Sequence, residues 1–105
     1  MLITIPTRDD NGLESEVASH FGRAAYFTTV DTETGEVRVQ ANQGHHFGGS
    51  RGPAAAVVEA KTDAIVCSGL GLKALQRFRD AGIEVYTGAE GTVDATLAAF
   101  RSHEL

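Results

Sequence analysis

A chain of 105 residues with 42% hydrophobic content is long enough to bury one core and too short for two, so the sequence predicts a single domain over residues 1–105. A formal net charge of −5 excludes the broad basic surface that nucleic acid or an anionic membrane requires. No apolar run approaches the ~20 residues that cross a bilayer, and residues 1–6 lack the basic flank and apolar length of a signal peptide; the expectation is a soluble cytoplasmic protein.

Residues 2–5 read as a first strand, with Pro6 ending its ladder. The polar stretch 7–19 follows as a long loop and the first candidate functional segment. Residues 26–30 are β-branched and aromatic, residues 37–40 alternate, and the DTETGE connection between them has turn chemistry, so these two strands form a hairpin. Residues 41–52 hold four glycines together with His45 and His46, too polar for a core element, and deliver the chain to Pro53. Proline suits the first turn of a helix, and Ala54, Val57 and Val58 give that helix an apolar stripe ending near Lys61. A fourth strand, AIVC, runs into the glycine-rich turn Ser68-Gly69-Leu70-Gly71. Leu72, Leu75 and Phe78 then mark one face of a second helix closed by Gly82. Residues 83–87 form the fifth strand. Thr92 caps a third helix in which Val93, Leu97 and Phe100 recur at i, i+4 and i+7.

The order β-β-β-α-β-α-β-α describes an α/β fold: an antiparallel meander, then two right-handed crossovers that extend a five-stranded mixed sheet with parallel strands. If strands one and four are parallel, the loops after strands one, three and four leave the same sheet edge. His20, His45, His46 and Cys67 would then meet in one crevice at the carboxyl ends of the strands.

The side chains expected there suit several chemistries. Cys67 is the only cysteine, which leaves it a buried small hydrophobe, a reactive thiol or a metal ligand. Thiolate suits iron-sulfur and copper centres and imidazole binds iron, copper or zinc, so His20, His45, His46 and Cys67 are candidate metal ligands, although their spacing matches no zinc template. Arg23, Arg51 and Lys73 each stand beside a glycine-containing segment and would suit a small anion. Residues 69–74 fit the relaxed G-x-G-x-x-A fingerprint between a strand and a helix, and equally fit anion binding by backbone N–H groups at a helix start. Against a nicotinamide cofactor, no second mononucleotide half is present and Glu84 comes early for the ribose-binding acid. A phosphate- or nucleotide-binding regulatory module built on the Gly69–Gly71 turn is the alternative to a metal site. A domain that uses its glycine loops only as connectors is a third reading. A Cys67 nucleophile activated by His20 lacks an orienting acid and an oxyanion hole. Nuclease chemistry lacks carboxylates on strand one, since Asp9 and Asp10 lie beyond it. His103 reads as a surface residue.

Four pieces of the chain carry a resemblance: Ser19-His20-Phe21-Gly22-Arg23-Ala24-Ala25-Tyr26-Phe27, the strand and turn from Ile65 through Cys67, Ser68, Gly69 and Gly71 to Leu75, the AGIEVY strand, and Gly91-Thr92-Val93. Together they make the chain, over nearly its whole length, similar to the dinitrogenase iron-molybdenum cofactor biosynthesis family, which includes NifX-like proteins, the C-terminal domain of NifB and the orange protein. The resemblance implies a ribonuclease-H-like fold without the nuclease carboxylates. It also implies noncatalytic binding, transfer or storage of a metal-sulfur cluster: iron-sulfur, an iron-molybdenum precursor, or the molybdenum-copper sulfide cluster of the orange protein. The family histidine maps to His20 and the family glycine turn to Ser68, Gly69, Leu70 and Gly71. Lacking a radical-SAM cysteine motif, the chain cannot perform the complete NifB reaction. The expectation is a non-enzymatic carrier, monomeric or weakly dimeric, whose partners are cluster donor and acceptor proteins.

Overall fold

The computed structural model describes residues 1–42, 57 and 61–102. Its central strand is β1 (Leu2–Thr7), antiparallel to β2 (Tyr26–Asp31) on one side and parallel to β4 (Ala64–Val66) on the other. With β3 (Val37–Ala41) and β5 (Glu84–Tyr86), the mixed five-stranded sheet has the order β3-β2-β1-β4-β5. Both expected strand relations, the β2–β3 hairpin and the parallel β1–β4 pair, are present.

The pleat of β4 sends successive side chains to opposite faces, and each face has its own apolar cluster. Ala64 and Val66 join Ile3, Ile5, Val30, Val93 and Leu97 on one face. Ile65 and Cys67 join Phe21, Phe27, Val57, Phe78 and Ile83 on the other. Helix α1 (Leu72–Asp80) therefore packs on the second face through Ala74 and Phe78, and α2 (Val93–Arg101) on the first through Val93 and Leu97. The end of α1 follows from Gly82, whose φ of +76° suits glycine. There the Ile83 N–H donates to the Phe78 carbonyl at 2.9 Å and the Gly82 N–H to the Arg79 carbonyl at 3.1 Å. Among the described residues no helix is long and apolar enough to cross a membrane.

Three expectations change. Pro6 does not end β1: the strand continues to Thr7, and Pro6 lies opposite Phe27. A strand residue's N–H and C=O point the same way. The Pro6 carbonyl accepts from the Ala18 N–H at 2.9 Å, away from β2, so the missing proline N–H leaves no ladder bond unmade. Leu72 does not face the core but is 84% exposed, and Ala74 takes the inward place because it lies four residues before Phe78, on the same helix face, whereas Leu72 lies six before it. The fifth strand is shorter, Glu84–Tyr86, with Ile83 buried just before it. The helix expected from Pro53 to Lys61 lies outside the described residues apart from Val57, which is helical and buried, and Lys61, which has a φ of +59°.

Candidate functional site

The register fixes one open edge of the sheet. Thr7 at the end of β1 lies opposite Tyr26, and Tyr26 lies opposite Ala41 at the end of β3, so both strands exit side by side. Because β4 runs parallel to β1, Cys67 and the glycine turn leave from the same edge. His20 is on the loop that follows β1, and the loop is tied to the turn: the Phe21 N–H donates to the Gly69 carbonyl at 3.0 Å. The buried Phe21 ring packs 5.2 Å from both Phe27 and Phe78, which anchors this loop to the sheet and to α1 at once. The loop that carries His20 and Arg23 is thereby joined to the turn of Ser68, Gly69 and Gly71 that leads into α1 and Lys73. His45, His46 and Arg51 lie outside the described residues.

His20 is exposed and extended, at the entry to a short 3-10 turn, Phe21–Arg23. Asn42, buried just past β3, holds this turn from below. Its Nδ2 donates to the Ala24 carbonyl at 2.8 Å and to the Gly22 carbonyl at 3.4 Å. The sequence reading passed over this residue; its only signal was an amide side chain directly after a strand, beside a loop that needs its carbonyls satisfied. Arg23 and Lys73 are exposed, and neither forms an ion pair among the described residues.

The start of α1 is open. Its N-cap, Gly71, offers no side-chain acceptor, and no acidic residue stands in the first turn. The first N–H groups of a helix have no partner within it and carry the positive end of the macrodipole. Lys73 adds a cation where the dipole disfavours one, which points to an anion there and not to helix stability.

The glycines support this. Of the eight described, Gly12, Gly35, Gly82, Gly88 and Gly91 have φ values between +62° and +89°, a region that side chains avoid. Gly22, Gly69 and Gly71 do not. Gly71 has φ −76° and ψ 163°, extended backbone open to any residue. A Cβ on Gly22 or Gly71 would meet nothing within 4 Å, and one on Gly69 would sit 3.6 Å from the Ser19 carbonyl, an ordinary contact. The three glycines without a conformational reason are the three at this crevice.

Cys67 is at the crevice but beneath its surface. The residue is fully buried, its backbone N–H donates to the Tyr86 carbonyl at 2.9 Å, and its thiol lies 3.7 Å from the same oxygen. Burial pushes the thiol up to about 11, so near neutral pH it is a protonated, hydrogen-bond-donating group. The activated low-pKa thiol weighed for a nucleophile is absent, because the apolar cluster around Cys67 penalises the thiolate more than the nearby helix start favours it. No group of three His, Cys, Asp or Glu side chains able to hold a metal ion occurs among the described residues. Glu84, weighed for a ribose, accepts from the Tyr86 hydroxyl at 3.0 Å.

Residues 1–103 match the sequence model of the family described as dinitrogenase iron-molybdenum cofactor. An uncharacterized protein of Methanocaldococcus jannaschii is 30% identical over all of this chain and 89% of its own. The apo form of the orange protein from Desulfovibrio gigas is 27% identical, with a TM-score of 0.86 over 98% of this chain and 88% of that one. A NifB-like protein from Thermotoga is 31% identical, with a TM-score of 0.81 over 96% and 87% of the two chains.

Proposed function

This chain belongs to the dinitrogenase iron-molybdenum cofactor family, and we propose that it is a noncatalytic carrier of an anionic metal-sulfide cluster held at the open start of α1. The cargo is an iron-sulfur, iron-molybdenum-precursor or molybdenum-copper sulfide cluster whose metals arrive coordinated by sulfide. Backbone N–H groups of the first turn, with His20, Arg23 and Lys73, donate to the sulfides and offset their charge. Gly22, Gly69 and Gly71 leave room for the cluster to approach the main chain. His45 and His46 remain candidate ligands in this reading. Cys67 supports the turn from the core side, and would ligate metal only if the turn lifted off it.

The observation that carries the reading is the set of three glycines without a backbone reason, gathered at an uncapped helix start. The test is anaerobic isolation from the native host with elemental analysis for iron, molybdenum, copper and acid-labile sulfide, beside a visible spectrum. Stoichiometric metal and sulfide with charge-transfer bands are expected, and His20→Ala combined with Gly71→Val should remove them without unfolding the domain. A metal-free protein that also refuses supplied cluster sinks the proposal. Uptake of a labelled nucleotide lost on Gly71→Val would then favour the phosphate-binding module, since the same N–H groups would serve a phosphate.

A further inference from the structure

The net charge of −5 is unevenly spread. Lys73, Arg77 and Arg79 are all exposed on α1, and the helix's one carboxylate, Asp80, accepts from Gln76 Nε2 at 3.3 Å. None of the three cations forms an ion pair among the described residues, whereas Glu16 holds Arg8 at 3.5 Å and Glu36 holds Arg38 at 2.6 Å. Arg77 and Arg79 also suit the C-terminal end of the helix dipole, but Lys73 in the first turn opposes it. Leu72, at 84%, is more than twice as exposed as Leu13 and Val39, each at 39%. Helical spacing sets Leu72, Gln76 and Arg79 in one row and Lys73 and Arg77 in the next.

An apolar side chain bordered by cations that have no ion pair among the described residues, on an otherwise acidic molecule, has a definite counterpart. We infer that the exposed face of α1 docks an acidic protein surface with an apolar recess for Leu72. Such a partner is attracted to this face and repelled by the rest of the chain, which orients it with the glycine turn against it. Burial of Leu72 supplies affinity, while the cations set the encounter rate. The inference rests on reading that turn as the cluster site, and it identifies the partner's role as handing over or receiving the cluster.

The first probe is poly-L-glutamate, titrated into isotope-labelled full chain and followed by amide chemical shifts. Shifts confined to α1 and the preceding turn, lost at about 0.5 M salt, are expected. The double variant R77E/R79E should bind at least about tenfold more weakly while its fold and cluster uptake stay unchanged. In cells, a photo-reactive side chain at position 72 should crosslink an acidic protein, and the product should vanish in the R77E/R79E background. Scattered shifts, a crosslink indifferent to that charge reversal, or binding to phosphatidylglycerol vesicles in place of polyglutamate would overturn the inference. Polyglutamate binding at α1 by a protein that takes up no cluster would uphold the docking face and sink only the carrier reading.

Discussion

Helices α1 and α2 are each nine residues long and each follows a strand of the same sheet, yet they begin in opposite ways. At α2, the Thr92 hydroxyl accepts from the Ala95 N–H at 3.1 Å, the Ser15 carbonyl accepts from the Val93 N–H at 2.9 Å, and Asp94 complements the dipole. At α1, Gly71 supplies no acceptor, no acid stands in the first turn, and Lys73 adds positive charge. A side-chain N-cap is worth about 1 kcal/mol. The chain secures that stabilisation at α2 and forgoes it at α1, next to the glycine turn to which the His20 loop is tied. On the proposed reading, the difference separates a helix start built for folding from one left uncapped for a ligand.

Closing α1 in the manner of α2 should have the largest effect. Gly71→Asp places a capping carboxylate at the first-turn N–H groups, so thermal unfolding should show a gain of about 0.5–1 kcal/mol while cluster uptake falls by about 100-fold or more. Opposite movement of stability and binding is the signature; undiminished uptake would mean that the open start is not the site. Cys67→Ser comes next, because it puts a hydroxyl among the buried apolar groups below the turn and should cost about 1–3 kcal/mol in denaturant unfolding. Cys67→Ala should keep its cluster, and loss of cluster from a folded Cys67→Ala protein would restore the thiol to the ligand set. Opening α2 with Thr92→Ala should cost about 1 kcal/mol and leave uptake untouched.

A pH series gives a smaller effect of known sign. The folded thiol is raised from near 9 to about 11 by burial. Its contribution to stability is therefore complete below pH 9 and is lost as the pH climbs toward 11, a decline that Cys67→Ala should flatten relative to wild type. The smallest stability change belongs to Gly71→Ala: with extended backbone and open space around the new methyl, folding should move by only a few tenths of a kcal/mol. Any loss of uptake in that variant then reports ligand contact directly.

Where local chemistry decided the outcome, the sequence was enough. Thr92 followed by Val93, Leu97 and Phe100 announced a capped amphipathic helix, and the structure has it with the cap bond made. Gly82 marked the end of α1, the turn chemistry of residues 31–36 marked the hairpin, and the alternation of strands and helices gave the sheet that brings the His20 loop to the glycine turn. These features depend on dihedral preferences and on a hydrophobic period within a few residues, both written along the chain. Other features depend on what a residue meets from elsewhere. Pro6 remains within β1 because Ala18 approaches on the side where a proline lacks only a donor. Leu72 reads as part of the helical stripe yet stays in solvent because the face that packs is the one Ala74 shares with Phe78. Cys67 reads equally well as ligand, nucleophile or core residue until Phe21, Phe78 and Ile83 close around it, and Asn42 has no evident role until the loop it supports is in place. The amino-acid sequence by itself determined the five strands, helices α1 and α2, their order and the family. Only the tertiary structure decided which side chains face the crevice, because burial, charge balance and hydrogen-bond satisfaction belong to groups far apart in the chain and do not exist until the sheet brings them together.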